Sequence, residues 1–120
     1  MTFEAISDMR PHLIRDGIEA RAFDGERITV AVVDLAPNAH LPEHHHENEQ
    51  LGFIIKGTLD FRIDTERRVL HAGDTYVIHS HVPHEAVAGP EGATVADCFA
   101  PIRADWKDLK RAAPSKPAWP

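Results

Sequence analysis

A chain of 120 residues supports one domain and is long enough to bury a core without disulfides or a structural metal. Its 42% hydrophobic and 27% charged content is ordinary for a globular protein, and a net charge of -6 argues against nucleic acid or an anionic membrane as a partner. No apolar run approaches the roughly 20 residues of a bilayer span, the opening MTFEAISDMRPHL lacks a signal-peptide core, and a single cysteine fits a reducing cytoplasm, which is the expected location.

In chain order, residues 3–9 offer one or two helical turns, and the pattern then turns to period two. RITVAVVDL (27–35), LGFIIKG (51–57), TLDFRID (58–64), RRVLHAGDTYVI (67–78) and ATVADCFAP (93–101) alternate or run apolar with β-branched residues. Turn signals separate them at Asp24-Gly25, Lys56-Gly57, Asp64-Thr65, Ala72-Gly73-Asp74 and Gly89-Pro90-Glu91-Gly92. Short strands at such intervals predict an all-β sandwich or barrel, with helix only near the termini. The barrel core is expected over about residues 18–104 of a single domain, 1–120. RADWKDLKRA (103–112) predicts a short C-terminal helix, followed by a proline-rich tail that stays poorly ordered unless a neighbour pins it.

Nine histidines are the compositional anomaly, and four of them fall within residues 40–46. On a strand, side chains two apart share a face, so His44 and His46 point together and His45 points away. Gln50 follows in phase with Gly52 and Ile54; Glu49 competes for its role if the strand enters one residue out of register. His84, after Pro83, starts a strand that an antiparallel barrel can bring beside the first pair. Three imidazoles and an amide oxygen form a mixed nitrogen and oxygen set suited to a divalent transition metal: manganese, iron, nickel, cobalt or zinc. His45, His79 and His81 read as solvated loop residues, and His40 and His71 as surface ones.

These residues resemble the cupins, small jelly-roll β-barrels with two motifs, Gly-x5-His-x-His-x3,4-Glu-x6-Gly and Gly-x5-Pro-x-Gly-x2-His-x3-Asn. His44, His46, Gln50 and Gly57 match the first, with glutamine in the glutamate position; Gly73 and His84 match the second. The chain departs from the motifs at Ala39, His79, His81 and Ala88, and the likeness covers roughly residues 25–105. The run HENEQLGFIIKGTLDF, with DCFAPIRADW after it, is similar to a single-domain subgroup. One characterised type in that subgroup is a pectin-degradation protein that linearises 4,5-unsaturated uronates. The resemblance implies that His44, His46, Gln50 and His84 hold the metal, that Asp97, Phe99 and Arg103 occupy catalytic positions, and that the protein is a homodimer.

Asp97 lies in an otherwise apolar strand, where an unpaired carboxylate costs several kcal/mol. It is expected either to ion-pair with Arg103 or to act as general acid or base while Arg103 grips a substrate carboxylate. Cys98, alternating with Asp97 and Phe99, reads as a small buried apolar residue on the other face. Phe53 and Ile55, opposite Gln50, offer an outer face for a second copy. The expected activity is that of a metal-dependent isomerase or lyase-type enzyme on a small oxygenated acid resembling a sugar acid. An iron dioxygenase and a non-catalytic ligand-binding protein are the alternatives, since one fold hosts all three.

Overall fold

The computed structural model describes residues 2–120. Its strands are β1 (His12–Arg15), β2 (Ile18–Asp24), β3 (Thr29–Leu35), β4 (His40–His44), β5 (Glu49–Ile63), β6 (Glu66–Leu70), β7 (Thr75–Ile78) and β8 (His84–Ala100). They pair antiparallel in the order β1-β2-β3-β8-β5-β6, with β4 added on β8 and β7 on β5, forming a jelly-roll barrel. Among the described residues, helix is limited to 3-10 turns at Ile6–Asp8 and Ala104–Asp108.

Two of the expected turns are bends inside strands. Lys56-Gly57 falls within β5 and Gly89–Gly92 within β8, and the pairing of β5 with β8 shifts register at Ile54/Lys56 and Gly57/Leu59. Gly57 and Gly92 have φ of 77° and 79°, a left-handed conformation that lets each strand turn a corner and carry on into the other face of the barrel. The hairpin at Asp64-Thr65 and the turn at Ala72–Asp74 do separate strands, as the sequence suggests.

Register sorts side chains between two surfaces. Ala22, Ala31, Asp97, Gly52 and Tyr76 form one row across five strands and face inward. The neighbouring row, Phe23, Val30, Cys98, Leu51 and Val77, faces out. Ile54, Leu59, Phe61, Ile78, Val95 and Phe99 fill the interior beside the inward row.

The segment after Asp108 does not continue as helix. The Leu13 amide donates to the Lys110 carbonyl at 2.8 Å and His12 bridges to Arg111, so pairing with β1 outweighs local helix propensity. The tail is pinned to the outside of the barrel. Arg21, with its side chain fully buried, donates to the Ser115 carbonyl and hydroxyl at 3.1 and 2.9 Å and ion-pairs with Asp34 at 3.2 Å. Asp34 also accepts from the Ala118 amide, and Lys56 reaches the Ala118 carbonyl.

Two glycines separate conformational strain from crowding. A Cβ at Gly92 would stand 2.6 Å from the Leu35 carbonyl oxygen, whereas one at Gly73 (φ 91°) would meet open space. In urea titrations Gly73→Ala should cost about 1 kcal/mol, the strain alone. Gly92→Ala should cost roughly 2–3 kcal/mol, because the corner must shift as well.

Candidate metal centre

His44 ends β4 and lies directly opposite His84, which starts β8. His46 follows in the connection to β5, and several bonds fix that connection. The His81 amide donates to the His46 carbonyl at 2.8 Å, and Ser80 Oγ to the Glu47 carbonyl at 2.6 Å. Buried Asn48 donates from Nδ2 to the Pro101 and Ile102 carbonyls, which ties the loop to the exit of β8. Gln50, the second residue of β5, is buried and turned inward; Glu49 is exposed.

Each of the three imidazoles is locked the same way. Nδ1 of His44, His46 and His84 faces the carbonyl of Pro42, Asn48 and Val82 at 2.9, 2.9 and 2.8 Å. A carbonyl only accepts, so each Nδ1 carries the proton and each Nε2 is left with a free lone pair. The rings converge: centroids of His44 and His84 are 4.2 Å apart, and those of His46 and His84 5.0 Å. One ligand atom from each of the three lies within 4.8 Å of the others.

Two features show that this arrangement suits a cation. His84 Nε2 is buried without a hydrogen-bond partner, an expensive omission unless something else binds the lone pair. His46 Nε2 and Gln50 Oε1 are 3.2 Å apart, two lone-pair atoms facing each other. A divalent ion satisfies all of these groups together, and Nδ1–H to carbonyl bonds are the usual way a ligating histidine is held. Burial depresses all three imidazoles. His84 falls to about 4, with the charges of His44, His46 and Arg103 adding to the effect and its bond to Val82 opposing it. His44 and His46 are lowered chiefly by burial too, so the triad is neutral and ready to ligate near pH 7.

The remaining histidines stand apart from this cluster. His45 and His81 are exposed at the rim, with ring centroids 6.0 Å apart, and His79 lies 4.0 Å from Glu49. His40 pairs with Glu85 at 2.6 Å on the surface, and His71 is exposed.

A cavity of about 150 Å³ adjoins the triad, lined among others by Gln50, Tyr76, Asp97, Phe99, Arg103 and Trp106. Burial pushes the Asp97 carboxyl up to about 6, against the opposing pull of hydrogen bonds from Tyr76 and Gln50 and the charge of Arg103. Tyr76 Oη donates to Asp97 Oδ1 at 2.6 Å. The ion pair expected between Asp97 and Arg103 does not form. Arg103 Nε and Nη2 instead grip Asp105 at 3.1 and 3.0 Å, and the guanidinium stacks over Phe99 and Trp106 at 4.8 and 4.6 Å from the ring centroids. Cys98 also departs from expectation. It faces away from Asp97, but that outer face is open and the thiol is exposed.

Sequence reasoning missed Tyr76, Trp106, Asn48 and Asp105. Tyr76 shares the inward phase of β7 with Ile78, and a buried phenol needs a polar partner, so its signal was there. Trp106 falls in the expected short C-terminal helix, and nothing in the sequence placed it against Arg103.

Residues 31–96 match the cupin domain family, more than half of the chain. The chain belongs to the cupin family. Among curated proteins this cupin is similar to pectin degradation protein KdgF of Dickeya dadantii (strain 3937). The two are 29% identical over 93 residues, covering 76% of this chain and 84% of that protein. Among solved structures it is similar to KdgF from Halomonas sp., with TM-score 0.80 and 26% identity, covering 88% of this chain and 97% of that one. An RmlC-like cupin from Shewanella frigidimarina NCIMB 400 superposes with TM-score 0.82 at 24% identity, covering 88% and 96% of the two chains. The likeness to KdgF extends the resemblance beyond the fold to a subgroup of cupins.

Two measurements check the triad. By calorimetric titration, His46→Ala and His84→Ala should lose most of their affinity for a divalent transition metal, while Glu49→Gln should keep it. In an Asp97→Asn background, which removes the opposing contribution of a carboxyl raised to about 6, the metal-free protein should hold its stability above pH 6.5, where unfolded histidines are also neutral, and lose stability as pH falls toward 4. His84 alone accounts for on the order of 3 kcal/mol of that loss, which urea unfolding at stepped pH would read.

Proposed function

We propose that this cupin is a metal-dependent isomerase or lyase-type enzyme acting on a small sugar acid, with 4,5-unsaturated uronates as the first substrates to try. The observation that carries the reading is the cavity: it borders the imidazole cluster through His44 and His84 and brings a buried carboxyl poised near 6 and a guanidinium into a space sized for a small molecule. The likeness to a pectin degradation protein supports the substrate class.

His44, His46, His84 and Gln50 would hold the metal, which when bound supplies a Lewis acid for a hydroxyl or carbonyl oxygen. With no carboxylate in that set, the ion's charge is left uncompensated and favours an anionic ligand. Arg103 spends its Nε and Nη2 edge on Asp105. The Nη1 and Nη2 end of the fork stays available for a substrate carboxylate. Asp97 holds or releases a proton near neutral pH, the property wanted in a general acid or base during ring opening or tautomerisation. Phe99 and Trp106 pack edge to face at 5.3 Å and wall the cavity against bulk water.

The same reading extends to assembly. Phe23, Leu51, Phe53 and Val77 are each about half exposed on one outer face, with Cys98 among them. A continuous apolar face of this kind suits a second copy of the chain, and we assign it as the homodimer interface.

Turnover of unsaturated uronates, followed by NMR, should fall about 10²–10⁴-fold in Asp97→Asn with metal content unchanged. Arg103→Lys should raise KM more than it lowers kcat. Oxygen uptake with iron, or tight sugar-acid binding without turnover in the wild-type protein, would overturn the isomerase reading. Sedimentation should give a dimer, and Leu51→Lys combined with Phe53→Glu should give the 13.4 kDa monomer. In the dimer Cys98 should react with thiol reagents more slowly than in that variant.

A further inference from the structure

Tyr76, the single tyrosine in the chain, has no part in the chemistry described so far. It stands on β7, and the register places Tyr76, Gly52 and Asp97 side by side on three neighbouring strands. The β7 and β8 backbones are therefore two strand spacings apart, roughly 9.5 Å. A phenol is long enough to cross that gap, and its hydroxyl reaches Asp97 Oδ1 at 2.6 Å. The middle position must be empty for this to happen. A Cβ on Gly52 would collide with both Asp97 Oδ1 and the Tyr76 ring. Gly52 is not in a left-handed conformation, so the glycine supplies space and not backbone freedom. Phe61 packs edge to face on the Tyr76 ring at 4.8 Å and holds it in line.

Gln50 completes the chain of contacts. Its Oε1 faces His46 Nε2 at 3.2 Å, and Gln50 also neighbours Asp97, whose carboxyl it helps to hold down against the effect of burial. A carboxylate only accepts, so the amide presents its oxygen to the imidazole cluster and its N–H to Asp97. Glutamate in this place would have no donor for Asp97 and would set two negative groups against each other. The glutamine in the motif's glutamate position and the otherwise unexplained tyrosine thus serve one arrangement.

We propose that Tyr76 is the positioning residue of this site: reaching across Gly52, it fixes the Asp97 carboxylate, and Gln50, between that pair and the imidazole cluster, couples the two. Tyr76 sets where Asp97 stands, and metal binding at the triad alters the tyrosine through Gln50 and Asp97. The kinetic consequence rests on the enzyme reading given above; the structural linkage does not.

Because there is one tyrosine, full-length protein labelled with ¹³C at the tyrosine Cζ gives one resonance from Tyr76. Its shift reports the hydrogen bond. Wild-type and Asp97→Asn proteins should differ, and Gly52→Ala should move the signal toward the Asp97→Asn position. Adding Zn²⁺, which is diamagnetic, should shift the wild-type resonance and leave that of Asp97→Asn nearly in place. Identical resonances in wild type and Asp97→Asn, or a wild-type signal unmoved by bound Zn²⁺, would overturn the proposal. In turnover of the unsaturated uronate, Tyr76→Phe should lower kcat about ten- to hundred-fold with KM and metal content unchanged. An unchanged kcat with only a lowered melting temperature would make Tyr76 structural and also overturn it. If no uronate is turned over by the wild-type protein, the enzyme reading fails, while the Zn²⁺ response of the tyrosine still decides the linkage.

Discussion

The long pairing of β5 with β8 is the constraint on which everything else rests. It runs from Glu49 opposite Ala100 to Ile63 opposite His84, spanning both faces of the barrel. One end puts Gln50 beside Phe99 and Gly52 beside Asp97, and the far end carries His84. β4 then adds His44 directly against His84. Residues forty positions apart in sequence therefore meet because two strands are long, bent at glycine and held in one register. A slip of one residue would turn Gln50 and Asp97 outward and bring Leu51 and Cys98 into the cavity.

Much of this was readable in the sequence because period-two alternation is a strong signal and register preserves it. The facing of His44 with His46, the inward phase of Gln50 and the strand start at His84 all follow from it. The strand boundaries at the corners did not, because a glycine that bends a strand and one that ends it look alike before the partner strand is known. Gly57 and Gly92 carry the same left-handed φ as a turn glycine. The C-terminal helix stops at Asp108 for a related reason: the residues after it favour helix, but pairing with β1 was available and stronger.

The site was legible to the extent that its residues lie in phase on strands. Asp97 stood out as a carboxylate in an apolar strand, but its partner did not. The expected partner, Arg103, lies six residues away in sequence, whereas the actual donor, Tyr76, comes from two strands across. Nothing local reveals that Gly52 leaves the gap through which they touch. Cys98 shows the converse error: its phase was right and its burial wrong, because alternation gives a side chain's direction and says nothing of what covers that face.

The lock on the three imidazoles bears on metal selectivity. Each ring is aimed by a carbonyl two residues away in its own stretch of chain, so the backbone dictates the donor geometry and ring ordering is completed during folding. A pocket already set in this way discriminates little among ions of similar radius. Nitrogen-rich sites then rank divalent metals by intrinsic affinity, which rises from manganese to copper. The ion carried in a cell would follow from which metals are supplied and buffered there, and exchanging it should alter Lewis acidity while leaving the shape of the cavity intact.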